Sequence, residues 1–233
     1  MKVVVFTGAG ASADSGIATF RGGDGLWDNY RIEDICTPEA LVYNRQTVVE
    51  FYNKRRKEVM EALPNAGHRA IAELEQFFEV QVITQNIDDL HERAGSTNVL
   101  HLHGEIGKLC TADKRYVYPI EGWKQELDAV SPDDGSLLRP FIVFFGEAVP
   151  LFEQAATWVS QADVFIVVGT SLAVYPAASL LHYVRRDVPV YLVDPSVPQL
   201  PSIPQKIEII QQTAAKGMPL LLDKLVREFK SKE

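Results

Sequence analysis

The chain has little cysteine. Cys36 and Cys110 are its only two in 233 residues. Two thiols cannot form a disulfide framework or a four-thiolate zinc site. Long apolar runs are also missing. The longest have buried-strand length, far below the roughly 18 residues of a membrane span. Positive charge is in deficit, with 23 Lys and Arg against 31 Asp and Glu, a net charge of −8. Sequence-independent nucleic-acid binding needs a basic footprint, so no direct nucleic-acid partner is expected. Disorder is excluded by composition, since 46% of residues are hydrophobic and 23% charged. Residues 1–6 carry one Lys and run straight into a glycine-rich turn, which leaves no room for a signal peptide. A cytoplasmic protein without a membrane partner is expected.

Five short Val- and Ile-rich runs are present, at 3–7, 80–84, 164–169, 188–194 and 207–210. None alternates strictly, as expected of parallel strands covered on both faces. Stretches 150–161, 176–186 and 218–229 carry apolar residues at helical spacing. The alternation predicts an α/β fold with a Rossmann-like doubly wound parallel sheet. Residues 24–79 contain no convincing strand and read as a helical insertion, with a helix over 38–62. Thr37-Pro38-Glu39 is its start and Pro64-Asn65 a break. Residues 105–138 read as a reduced small lobe, with a strand at 116–119 and a loop at 131–135. The nucleotide-binding part is then 1–23, 80–104 and 139–233, in one catalytic domain over 1–233.

The first strand enters Gly8-Ala9-Gly10-Ala11-Ser12, with Ala13 where a third glycine is usual. Strand, glycine turn and helix form a pyrophosphate cradle, in which glycine admits the ligand and the helix end offers N–H groups. Without a ligand, the same residues make a tight turn. Gly16 and Phe20-Arg21-Gly22-Gly23 follow, as in a loop hinged to close over a cofactor. Thr84-Gln85-Asn86-Ile87-Asp88 ends a strand where open sheets bind ligands. An amide and a carboxylate there can hold a carboxamide and a ribose hydroxyl, or merely cap a loop. Gly169-Thr170-Ser171 offers hydroxyls to phosphate or ribose at another strand end. Among five histidines, His101 and His103 share one side of a short apolar alternation. Either would serve as a base near neutral pH, and the spacing does not choose. His68, His91 and His182 read as satisfied or surface groups. Tyr52 and Arg55, three apart on a helix, place a phenol beside a guanidinium, which suits a carboxylate. The ordinary alternative is a surface ion pair and a packed tyrosine.

These blocks together resemble the sirtuins, NAD-dependent protein-lysine deacylases. The matching residues are Gly8–Ser12 with Gly16-Ile17 and Phe20-Arg21, then Thr84–Asp88, Leu102-His103-Gly104, Phe144-Phe145-Gly146-Glu147, and Gly169-Thr170-Ser171-Leu172 with Val174 and Pro176. They occur in the family's order and span essentially the whole chain. The resemblance implies NAD as cofactor and acylated-lysine proteins as partners. It implies His103 as the base, Asn86 and Asp88 on nicotinamide and ribose, and Gln85 on ribose. The phosphates and riboses would be held by Gly8, Ala9, Gly10, Ser12, Phe20, Arg21, Gly169, Thr170 and Ser171. Asp194 stands where the family usually has Asn. A carboxylate there accepts ribose hydroxyls and disfavours a 2′-phosphate, hence NAD rather than NADP. Ala214 would touch adenine through its backbone. Phe144, Phe145, Gly146 and Glu147 would pair with the substrate as an added strand. The products are nicotinamide, free lysine and 2′-O-acyl-ADP-ribose.

Two departures from the family stand out. Most sirtuins carry two Cys-x-x-Cys zinc pairs, but here Cys110 is followed at 113 by Asp113, so no zinc is expected. The small lobe is then expected to be held by packing of Tyr116, Tyr118 and Trp123. Tyr52 and Arg55 resemble the Tyr-x-x-Arg pair of the subgroup that removes succinyl, malonyl and glutaryl groups. Cys36, being small, leaves room for a longer acyl chain. The expected activity is removal of succinyl or malonyl groups, and also acetyl, by a monomer. Alternatives from other classes are an ADP-ribosyltransferase or NAD glycohydrolase, and a non-catalytic NAD-binding module.

Overall fold

The computed structural model describes residues 1–19, 30–196 and 204–229. In chain order, β1 (Lys2–Thr7) leads into α1 (Gly10–Ala13). The helices α2 (Ile32–Ile35), α3 (Ala40–Tyr43), α4 (Arg45–Glu61) and α5 (Ala66–Glu73) follow. Next come β2 (Glu79–Thr84), α6 (Leu90–Ala94), β3 (Val99–His101), β4 (Gly104–Cys110), β5 (Val117–Pro119) and β6 (Arg139–Ile142). The chain closes with α7 (Phe152–Ser160), β7 (Val164–Val168), a 3-10 helix (Ala177–Tyr183), β8 (Val190–Val193), β9 (Ile207–Ile210) and α8 (Ala214–Phe229).

Six strands form a parallel sheet in the order β3-β2-β1-β7-β8-β9. The chain winds outward from β1 in one direction and from β7 in the other, so the switch point lies between those two strands. That is where such sheets bind ligands. Successive side chains of a strand point to opposite faces. Val4, Phe6, Phe165 and Val167 pack under α7 and the 3-10 helix, with Ala155, Val159, Leu180 and Leu181. Val3, Val5, Val164 and Ile166 pack on the other face under α5 and α8, with Ile71, Leu74, Met218 and Leu221. Burial on both faces is why these strands read as unbroken apolar runs.

The structure corrects several boundaries. The expected helix over 38–62 is broken at Asn44, which lies between α3 and α4. Its amide donates to the Asp34 carbonyl at 3.0 Å and accepts from the Thr47 hydroxyl at 2.7 Å. An asparagine that bonds locally in this way competes with the helix. Helix α5 was placed in the insertion, but Ala70, Ile71 and Leu74 pack on the sheet instead. It starts where its capping residue dictates, since the Asn65 side chain accepts from the N–H groups of Gly67 and His68. The stretch expected as helix 176–186 is the 3-10 helix.

The small lobe is an antiparallel sheet ordered β5-β4-β6. Its third strand comes from 139–142, a stretch assigned from sequence to the nucleotide-binding part. The expected aromatic packing does not hold the lobe. Trp123 is 40% exposed, and Tyr118 hydrogen-bonds Ser131 and Asp133. Buried polar groups tie the lobe to α4. Arg56 donates to the carbonyls of Ile106 (2.7 Å) and Trp123 (2.8 Å), and Asn53 donates to the Gln125 carbonyl (2.9 Å). Cys110 is buried, and burial pushes its thiol up to about 11. Among the described residues, no group of three His, Cys, Asp or Glu side chains is placed to hold a metal ion. None of the described helices is long and apolar enough to cross a membrane.

Candidate active site

A cleft of about 500 Å3 opens at the switch point between the β1 and β7 ends. Gly8, Ala9, Gly10 and Ser12 line it, as do Gln85, Asn86, Asp88, His103, Gly169, Thr170, Ser171 and Asp194. Tyr52, Arg55, Cys36 and the 144–147 loop line it too. Residues from eight separate sequence blocks thus face one space, within the size range of ligand sites.

The glycine turn works by close approach rather than by free donors. The N–H groups of Gly8, Gly10, Ala11 and Ser12 are bonded to the carbonyls of Val168, Gly169, Gly8 and Ala9. Helix α1 is a single turn of four residues, so the expected helix-end contribution is small. A Cβ on Gly10 would lie 2.7 Å from the Gly169 Cα, and one on Gly8 would lie 2.7 Å from the Thr170 Cβ. Glycine therefore lets the turn sit directly against the β7 tip. The cleft wall at Gly8 and Gly10 is thus backbone.

Ser12 is the hub of the polar wall. Its hydroxyl donates to Asp88 Oδ2 at 3.0 Å, accepts from Asn86 Nδ2 at 3.1 Å and lies 3.4 Å from His68 Nε2. The other Asp88 oxygen accepts from the Leu90 N–H. Burial is the main influence on the Asp88 carboxyl and raises it, against the hydrogen bonds from Leu90 and Ser12. His68 was expected to be a satisfied group. It is satisfied, but by the site itself. Its signal in the sequence is the Asn65-x-x-His68 capping arrangement, in which Asn65 N–H meets His68 Nδ1 at 3.3 Å. Gln85 donates to the Thr170 hydroxyl at 3.0 Å, linking the β2 and β7 ends.

The two histidines that spacing left open are distinguished by their partners. His103 Nδ1 lies 3.0 Å from the Gln85 carbonyl. A carbonyl only accepts, so Nδ1 carries the proton and Nε2 keeps a lone pair in the cleft. Burial lowers the His103 pKa, partly offset by that hydrogen bond, so the ring is neutral at pH 7. His101 is engaged on both nitrogens, by the Asn86 carbonyl and by Glu92. It does not line the cleft.

At the far end, the Tyr52 hydroxyl lies 3.4 Å from Cys36 Sγ. Arg55 Nη1 pairs with Glu58 at 3.1 Å and Nη2 donates to the Ala18 carbonyl at 3.3 Å. The surface-acid partner that sequence reasoning offered as the alternative is therefore present, although Arg55 still lines the cleft. Phe144 is buried and Phe145 is 44% exposed. Glu147 turns inward. It receives Arg139 on both oxygens, Lys114 at 2.9 Å and the Phe144 N–H at 2.8 Å. Its side chain braces the loop, and the residue lines the cleft.

Ala214 is the first residue of α8 and its side chain packs in the core; its neighbour Thr213 is on the cleft lining. Phe20 and Arg21 lie outside the described residues. Sequence reasoning missed Ile17, Tyr175 and Ser196 on the lining. Their types carry no chemical signal on their own.

The residues fit a dinucleotide: a glycine-rich turn against the β7 tip, amide and hydroxyl groups along one wall, and a carboxylate at the β8 end. The comparisons agree. Residues 8–176 match the model of the Sir2 family. An NAD-dependent protein deacylase of Bacteroides thetaiotaomicron is 49% identical over 230 residues, covering 97% of this chain and 98% of that one. A mutant Sir2 homologue solved with ADP-ribose superposes with a TM-score of 0.90 at 38% identity, covering 100% and 94%. A complex of a Sir2 homologue with NAD gives a TM-score of 0.86 at 39% identity, covering 99% and 90%.

Proposed function

The chain belongs to the Sir2 family and is an NAD-dependent protein deacylase, and from that premise we propose that it prefers lysines bearing short acidic acyl groups, succinyl or malonyl, over acetyl-lysine. The observation that carries this reading is that Tyr52 and Arg55 line the same cleft as His103. A phenol and a planar guanidinium on the wall of that cleft suit a carboxylate. The Glu58 pair does not forbid it. The Glu58 side chain is 35% exposed while that of Arg55 is 7% exposed, so the Glu58 carboxylate can turn to solvent while Arg55 stays at the cleft to meet a substrate carboxylate.

NAD, when bound, supplies an electrophilic ribose carbon and the hydroxyl that receives the acyl group. The chain's own residues do the rest. Gly8, Ala9, Gly10 and Ser12, with Gly169, Thr170 and Ser171, hold the pyrophosphate and adjoining riboses. Asn86 and Asp88 orient the nicotinamide end, Gln85 its ribose, and Asp194 the adenosine ribose. His103 Nε2 takes a proton from a ribose hydroxyl. Phe144, Phe145 and Gly146 lie along the acyl-lysine strand, with Glu147 bracing them. The acidic chain acts as a monomer in the cytoplasm, on protein substrates and not on nucleic acid or membranes.

The test is mass spectrometry of matched acetyl-, succinyl- and malonyl-lysine peptides with enzyme and NAD. Charge-assisted bonds contribute about 1.5–3 kcal/mol each, so succinyl or malonyl should exceed acetyl in kcat/KM by about tenfold or more. Arg55→Met should lose most desuccinylation and keep deacetylation. Equal efficiencies in the wild type would refute the preference. Nicotinamide release without any peptide would favour a glycohydrolase.

A further inference from the structure

We propose that His101 is a positioning residue for NAD, an imidazolium that fastens the carbonyl of Asn86 to helix α6 through Glu92. The proposal rests on the reading of residues 84–88 as the strap that holds the nicotinamide end. His101 Nδ1 lies 3.1 Å from the Asn86 carbonyl, and Nε2 lies 2.7 Å from Glu92 Oε1. A carbonyl and a carboxylate both only accept, so both ring nitrogens must donate and the ring carries a charge. His103, two residues on, holds the preceding carbonyl, that of Gln85, with one nitrogen only. The alternation at the end of β3 therefore pins two consecutive peptide groups of the strap. One histidine is charged and turned away from the cleft; the other is neutral and open to it.

The surroundings support the charged state. Burial pulls His101 down, but Glu92, the Asn86 carbonyl and Glu105 outweigh it, leaving the pKa raised. Glu92 is correspondingly lowered, its burial outweighed by His101. The other groups facing the ring are Asp88, which the cation favours as a carboxylate, and His91, which it disfavours as a second cation. Lys108 reaches in from β4 and pairs with Glu105 at 2.7 Å. When His101 loses its proton, one of its two bonds must go and a lone pair meets an acceptor. The strap is then held less firmly, so the contribution is present at low pH and fades as pH rises through the His101 pKa.

The experiment is the pH dependence of kcat and of KM for NAD in the wild type, His101→Phe and Glu92→Gln, at saturating acyl peptide. In the wild type, KM for NAD should rise with pH through an inflection that Glu92→Gln moves to lower pH. His101→Phe should raise KM for NAD about tenfold at the acid end and remove the inflection. Its kcat at saturating NAD should stay within about threefold, since His101 touches no reacting atom. Glu92 is 41% exposed on its side chain, so Glu92→Gln keeps the test alive if His101→Phe does not fold. An NMR titration of wild-type His101 adds a direct readout. Superimposable wild-type and Glu92→Gln profiles, or a His101 pKa at or below the ordinary 6.5, would overturn the proposal. A collapse of kcat with unchanged KM would do the same. Asn86→Ala separates the underlying reading: unchanged KM for NAD in that variant would refute the strap itself.

Discussion

The Cys36 sulfur and the Tyr52 hydroxyl lie 3.4 Å apart on the wall of the cleft, each the other's polar partner. Burial pushes the thiol up to about 11, against the Tyr52 hydrogen bond, and pushes the phenol well above its ordinary value. Both are neutral at any working pH. A thiolate reacts and a thiol does not, so a shift from 9.0 to about 11 cuts the reactive fraction about a hundredfold. Iodoacetamide at pH 8 should therefore alkylate native Cys36 about a hundredfold more slowly than a free cysteine, as followed by peptide mass mapping. A rate like that of the free amino acid would mean that the thiol is not desolvated as described.

Arg139 and Glu147 predict a stability loss confined to charge. Arg139 is 3% exposed, meets both Glu147 oxygens and lies 4.2 Å from the Phe144 ring centroid. Glu147→Gln keeps the shape and strands a buried cation. Removing one partner of a buried pair typically costs about 3–5 kcal/mol. Urea unfolding should show a loss of that order, with the KM for acyl peptide raised because Phe144 and Phe145 lose their brace. Arg139→Met in the Glu147→Gln background should recover part of the loss. No recovery would show that the two charges are not coupled.

How much of this was legible depended on who supplies the pattern. The β1, β2 and β7 strands declare themselves because helices cover both of their faces, so valine follows valine. The β4 and β6 strands do not. Gly104, Gly107, Arg139 and Pro140 make poor strands alone and become strands by pairing with each other across the lobe. In the cleft, the Gly8–Ser12 turn and the polar end of β2 at Asn86 and Asp88 were legible as strand-end groups that line one space, whereas His103 was separated from His101 only by the family resemblance, because both histidines suit the same task locally. Thr213 on the lining was not legible, because only the packing of the α8 start decides that Thr213 faces the cleft while the Ala214 side chain enters the core. The partners of His101 were invisible for a related reason. Glu92 is nine residues away, and only the fold of α6 brings it to the ring.

Two buried histidines predict sensitivity to mild acid. Burial, with Arg69 nearby, lowers His68 to about 4. Burial, with His68 and His101 nearby, holds His91 well below the ordinary value. In the unfolded chain both take up protons near 6.5, whereas His68 in the fold waits until about 4. The unfolded state binds more protons in that window, so stability falls as pH drops from about 6.5 towards 4. For His68 alone the loss reaches about 3 kcal/mol. Urea midpoints measured every half unit of pH should fall across the window, and His68→Gln should flatten the slope. A slope unchanged in that variant would assign the loss to other groups.

The cradle itself gives the sharpest contrast, between two glycines six residues apart, Gly10 and Gly16. A Cβ on Gly10 would meet Gly169 Cα at 2.7 Å, its oxygen at 2.9 Å and its carbonyl carbon at 3.0 Å. These are backbone atoms at the tip of β7, held in place by the Gly169 N–H bond to the Val193 carbonyl. They cannot rotate away as a side chain would, so Gly10→Ala must separate the β1 and β7 ends. Gly16 has φ of +85°, yet nothing lies within 4 Å of its added Cβ. Gly16→Ala meets only left-handed backbone strain, about 1–2 kcal/mol. Calorimetric NAD titration and urea unfolding of both variants should therefore diverge. Gly10→Ala should lose stability by about 1–3 kcal/mol, as overpacking does, and weaken NAD binding by well over tenfold, because the cleft wall at the glycine turn moves. Gly16→Ala should lose stability alone and bind NAD within a few-fold of wild type. Equal NAD affinity in the two variants would show that the contact between the strand ends does not shape the cleft wall.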